Sequence, residues 1–144
     1  MVFDEYFEFP WSREQFDGDI ESWWIREIHG FKNSKIIFDD DGGFLDGIKP
    51  PKEDISAYFE EIGSFKEAHP LPVVLVNYCS SEVPMYILAV PSSFKSASRG
   101  YPTEFDPRSL KISQKECDAL LKFCVDYGID YEHEPQWMLS SLWD

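Results

Sequence analysis

Apolar residues recur along this chain in two periods, and the switches between them mark its elements. Phe16, Ile20, Trp23, Trp24 and Ile28 follow the three-to-four spacing of a helix with one buried face. Ahead of them, Ser12 and Gln15 have capping-box spacing and Trp11 and Phe16 staple spacing, although Gly18 interrupts the pattern and makes Asp19 the alternative N-cap. Gly30 suits the first position past the end. A helix is predicted over 13–29. Ile55, Tyr58, Phe59 and Ile62 give the apolar face of a second helix over 52–62, opened by Pro51 and closed by Gly63. The third, over 114–127, is the best specified. Ser113 and Glu116 match a capping box with Ile112 and Cys117 as its staple. Cys117, Leu120, Leu121 and Cys124 form the stripe, and Gly128 with Ile129 supplies a Schellman ending.

The remaining apolar runs are short and rich in β-branched and aromatic residues. Val73–Val76 and Met85–Val90 flank Ser80-Ser81-Glu82-Val83 and predict a hairpin of strands at about 71–79 and 84–91. Neither run alternates cleanly with polar residues, which places the pair near the centre of a sheet with both faces covered. Residues 35–38 read as a short strand leading to an Asp41-Gly42 turn and a return at Phe44-Leu45 that ends at Pro50-Pro51. Gln136–Ser140 reads as a terminal strand. The Ser-, Gly- and Pro-rich stretch 92–109 reads as a long loop. Helices and antiparallel strands in this irregular order give an α+β class, with an antiparallel sheet around a central hairpin packed by about three helices. With 144 residues, no repeat and no linker, the expectation is a single domain, 1–144.

Charge changes the picture most. There are 27 Asp and Glu against 13 Lys and Arg, a net charge of −14. Such a chain repels phosphate backbones and anionic membranes, so a direct nucleic-acid or membrane partner is disfavoured and a basic protein partner favoured. The acids are uneven: net −10 over residues 1–67, +1 over 68–103 and −5 over 104–144. No run of about 20 apolar residues spans a membrane, and the first residues carry acids rather than the basic stretch of a signal peptide. A cytoplasmic protein is the default expectation.

Little in the sequence carries chemistry. The three cysteines (Cys79, Cys117, Cys124) are too few for a disulfide framework and include no Cys-x-x-Cys pair. His29, His69 and His133 have no metal-ligand spacing. His29 falls at a helix end, and His133 lies between Glu132 and Glu134. No nucleophile elbow, phosphate loop, dinucleotide fingerprint or zincin motif is present. Cys79 is the one cysteine outside a helix stripe, and buried structural cysteine is commoner than catalytic. Asp39-Asp40-Asp41-Gly42 lacks the alternating ligands and distant Glu of a calcium loop and reads as a turn. Neighbouring acids such as Glu60 and Glu61 or Asp17 and Asp19 are too common here to mark a carboxylate dyad. The expectation is a protein that is not an enzyme and needs no cofactor or metal.

A small, acidic, cysteine-poor α+β chain without catalytic motifs resembles the immunity proteins of bacterial polymorphic-toxin and contact-dependent inhibition systems. The resemblance rests on size, charge and motif absence over the whole chain. It implies stoichiometric binding to a cognate toxin domain, often a basic nuclease, with acids at or beside the toxin's nucleic-acid cleft. The candidate contact surface is Asp17, Asp19, Glu21, Asp39, Asp40, Asp41, Glu60 and Glu61, with Trp23 as an aromatic anchor and Trp24, Trp137 and Trp143 as further candidates. Two alternatives stand beside it: a DNA-mimicking antagonist of a restriction or CRISPR nuclease, and an enzyme with an unrecognised cleft.

Overall fold

The computed structural model describes residues 1–3, 7–12, 19–32, 36, 49–80, 84–97, 100–101, 104, 106–140 and 142–143. It is α+β. Contacts cluster into two compact units, Trp11–Leu71 and the combination of Met1–Pro10 with Pro72–Asp144.

The described secondary-structure elements of the Trp11–Leu71 unit are helical. Asp19 is extended, and its carboxylate accepts from the backbone N–H of Glu21 (3.0 Å) and Ser22 (3.2 Å), so Asp19 is the N-cap. The helical residues predicted at 13–18, and the Gln15 half of the Ser12 box, lie outside the described residues. Helix α1, Ile20–Trp23, continues as a π-helical turn, Trp24–Ile28. There His29 N–H donates to Trp24 O at 3.1 Å, five residues back, and Phe31 N–H to Ile25 O at 2.8 Å, six back. Gly30, with φ +68°, sits past the end as expected. The wider turn changes which residues face inward. Ile25, outside the predicted stripe, is 2 % exposed and packs with Phe31, Ile36 and Tyr58.

Helix α2, Lys52–Ala68, starts beside Pro51 and runs straight through Gly63, six residues beyond the predicted end. The added turn carries Phe65, which completes the series Ile55, Tyr58, Ile62, Phe65 at helical spacing. These four pack on a core of Ile25, Phe31 and Ile36. The strand predicted at 35–38 and the 41–45 turn fall, apart from Ile36, outside the described residues, and Ile36 itself is buried.

The second unit holds the sheet. Strands β1 (Val2–Phe3), β2 (Val74–Ser80), β3 (Pro84–Ala89) and β4 (Leu142–Trp143) lie in the order β1-β3-β2-β4. The hairpin β2–β3 holds the two central positions, and the three strands β1-β3-β2 are antiparallel. Leu88 is fully buried, whereas Val74, Leu75, Val76 and Ile87 are half-buried and Asn77 is exposed. The hairpin is thus less enclosed than its composition suggested. The terminal strand lies two residues beyond the expected stretch and pairs parallel to β2, Cys79 opposite Leu142, and Gln136–Ser140 has no strand partner among the described residues.

Hydrogen-bond parity in this sheet follows from one pair. Met1 and Leu88 exchange both backbone bonds, each 2.9 Å. Leu88 and Tyr86 therefore point their N–H and C=O toward β1, and Ile87 points its own toward Val76 on β2. Pro84 shares the parity of Tyr86, so its missing N–H removes no β2–β3 bond. Phe3, Phe7 and Phe9 form a ring cluster with centroids 4.5–5.0 Å apart, and Phe9 meets Tyr86 edge-on at 5.7 Å. The described residues of the 92–109 stretch and Pro91 ahead of it include the single-turn 3-10 segments Pro91–Ser93 and Pro107–Ser109 and are otherwise mostly exposed.

Helix α3, Gln114–Asp126, matches its sequence signals closely. Ser113 Oγ accepts from Glu116 N–H, and the Glu116 carboxylate accepts from Ser113 N–H at 2.8 Å. At the other end Gly128 has φ +66°, Ile129 N–H donates to Cys124 O at 2.8 Å and Gly128 N–H to Val125 O at 3.4 Å, the two bonds of a Schellman ending. Leu120, Phe123 and Cys124 are buried.

Candidate partner-binding surface

The buried face of α2 fixes what its other face presents. With Tyr58, Ile62 and Phe65 turned inward, Glu53, Ala57, Glu60, Ser64 and Glu67 fall on the opposite side at helical spacing, and all five are exposed. Three carboxylates therefore stand in a row, each about 10 Å from the next along the axis, with small residues between them. Glu61 flanks this row on one side. Phe59 flanks it on the other and is 61 % exposed. The sequence pattern put Phe59 on the apolar face. That was an error of angle: it lies about 100° from Tyr58, and the inward stripe is complete without it. An exposed aromatic beside a carboxylate row is the composition of a binding anchor.

The other candidate residues divide sharply. Glu60 and Glu61 belong to this helix and are exposed. Glu21 is exposed and paired with Lys66 of α2 at 2.6 Å, which offsets its charge. Asp19 is occupied as the α1 cap. Asp17, Asp39, Asp40 and Asp41 lie outside the described residues. Trp23 is corrected outright as an anchor: it is 3 % exposed, with its ring 5.3 Å from that of Trp11. Trp24 is also committed inside its unit, donating through Nε1 to His69 O at 2.9 Å. Trp137 is half exposed, next to exposed Met138 and Leu139.

The same unit holds a histidine–aromatic cluster. His29 and His69 have ring centroids 4.5 Å apart, with Trp24 4.6 Å from His29 and Phe65 stacked 4.3 Å from His69. His69 Nδ1 lies 3.0 Å from Phe65 O and serves as donor there. His29 Nε2 is buried without a hydrogen-bond partner. Burial, and then the neighbouring His69, push the His29 ionisation below its ordinary value. The arrangement favours a neutral His29 ring held by packing. Among the described residues no three His, Cys, Asp or Glu side chains gather as a metal site. Burial pushes the Cys124 thiol up to about 11, which removes it as a nucleophile at neutral pH. His133 is exposed, 4.0 Å from the Glu132 carboxylate.

A shallow cavity of about 320 Å³ in the other unit is lined by Cys124, Val125, Gly128, Ile129, Asp130 and Tyr131. Apart from that inert thiol its titratable side chains are Asp130 and Tyr131, too few for a recognisable acid–base or nucleophilic site. Among the described residues no helix is long and apolar enough to cross a membrane. No family model matches the chain, and neither a curated protein nor a solved structure shows significant similarity to it.

Proposed function

We propose that this protein is an immunity-type inhibitor that binds a basic toxin domain one to one and blocks it. The observation that carries the reading is the outer face of α2, where Glu53, Glu60 and Glu67 form a row beside exposed Phe59. A cationic cleft built to hold phosphates is complementary to such a row. The net charge of −14 speeds encounter, and the aromatic side chain adds short-range grip. Stoichiometric blocking needs no reacting group, which is compatible with His29 and His69 held in packing and a Cys124 thiol pushed up to about 11.

The test is co-expression with candidate toxin domains from the neighbouring genes, followed by co-purification at low ionic strength and assay of the toxin. The reading expects a one-to-one complex, loss of toxin activity, and escape when Glu53, Glu60 and Glu67 are all changed to Lys. A captured partner that keeps full activity would sink it. Equal competition against unrelated DNA-binding proteins would instead favour the DNA mimic.

A further inference from the structure

Among the described residues the outer edge of β2 is paired only at its end. Leu88 bonds toward β1, so Leu75, Asn77 and Cys79 must direct their N–H and C=O away from β3. β4 covers this edge at Cys79 and Ser80. At Leu75 and Asn77 the outward backbone groups have no strand partner among the described residues. An open edge of this kind is a template for another strand.

The chain just before β4 is suited to fill it. Continuing the Cys79–Leu142 register backwards puts Ser140 opposite Asn77 and Met138 opposite Leu75. Residues 136–143 contain no proline, so every donor that a parallel ladder requires is present, and Pro135 stands immediately before them. The side chains match as well. Trp137 and Leu139 would share a face with Val74 and Val76, bringing four apolar side chains together. In the present structure Trp137 and Met138 are about half exposed and Leu139 is 102 % exposed, an unusual state for three successive apolar residues.

We propose that residues 137–140 form a strap that closes on β2 as a continuation of β4, and that the structure shows it open. On closure Leu75 N–H donates to Trp137 O, Leu139 N–H to Leu75 O, and Asn77 N–H to Leu139 O. Closure seals the edge and covers the Trp137–Leu139 run. Opening exposes both together. This inference is independent of the identity of any partner.

Residue-resolved amide exchange on the full chain tests it, with two proline variants. Leu139→Pro removes a donor that the ladder uses. Ser140→Pro removes an N–H that points away from β2. The expected result is that Leu75 and Asn77 amides exchange slower than open chain by about tenfold or more in the wild type and in Ser140→Pro, and near open-chain rates in Leu139→Pro. Leu88, bonded to Met1, should stay slow in all three and reports an intact sheet. Three outcomes overturn the proposal: open-chain exchange at Leu75 and Asn77 in the wild type, protection that survives Leu139→Pro (a second copy or another segment on the edge), or protection lost equally in both variants.

Discussion

The imidazoles of His29 and His69 lie 4.5 Å apart, and the buried Nε2 of His29 has no hydrogen-bond partner. Protonating His29 would place a charge in a desolvated position beside the His69 ring. Its ionisation is therefore lowered in the fold relative to 6.5 in the unfolded chain. The unfolded state binds the proton more readily, so stability from the neutral ring is complete above pH 6.5 and is lost as pH falls through the window below it. Tm measured from pH 8 to 5 should fall in that window, and His29→Phe should flatten this part of the profile. An unchanged slope in the variant would remove His29 as its source.

The α3 cap gives a second, separate acid limb. Hydrogen bonds from Ser113 and Ser92 hold the Glu116 carboxyl down to about 2 from 4.5. A depressed carboxyl contributes above its unfolded value and loses that contribution as pH falls from about 4.5 toward 2. Ser113→Ala should cost about 1 kcal/mol in urea unfolding at pH 7 and should shrink this limb. Glu116→Gln, which can still complete the box, should abolish the pH dependence while keeping most of the helix.

Two glycines should respond to alanine with opposite signs. Gly128 has φ +66°, and a Cβ there meets nothing within 4 Å, so the cost of Gly128→Ala is backbone strain of about 1 kcal/mol. Gly63 lies inside α2 and its Cβ site is also open, so Gly63→Ala should stabilise by about 0.5–1 kcal/mol. Urea midpoints of the two variants check this directly. A shared sign would mean that one of these backbone conformations is misjudged.

Phe59 and Trp23 should separate binding from stability. Trp23→Ala empties a buried site against Trp11 and should cost about 3–5 kcal/mol. Phe59→Ala, at 61 % exposure, should shift stability by less than about 0.5 kcal/mol, yet weaken capture of the basic partner by at least about tenfold if Phe59 is a central anchor. Paired denaturation and titration measurements decide this, and unaltered affinity in Phe59→Ala would remove that residue from the interface.

These cases also show which features were readable along the chain. Helix α3 was legible at both ends because its signals are local: a serine three residues before a glutamate, and a glycine where the backbone turns left-handed. The end of α2 was misplaced because Gly63 resembles a stop, although no positive φ is required there. Phe65 and then Pro70 were the better guides. Ile25 was missed because the π turn answers to tertiary packing that a 3.6-residue period does not encode. The class of surface, acids with an aromatic, was visible in composition. Its position was not, because an adjacent Tyr58-Phe59 pair leaves open which ring turns inward until the partners of α2 are known.

The π turn has one more consequence. Its wide turn holds one residue more than an α-helical turn of the same rise, so the segment has a residue to spare. Excising Arg26 would let the turn close to ordinary α-helical pitch while its flanks keep their present faces. The same deletion inside α3, a regular α-helix, would rotate everything upstream of it by about 100°. A one-codon deletion should therefore be tolerated in the π turn and not in α3.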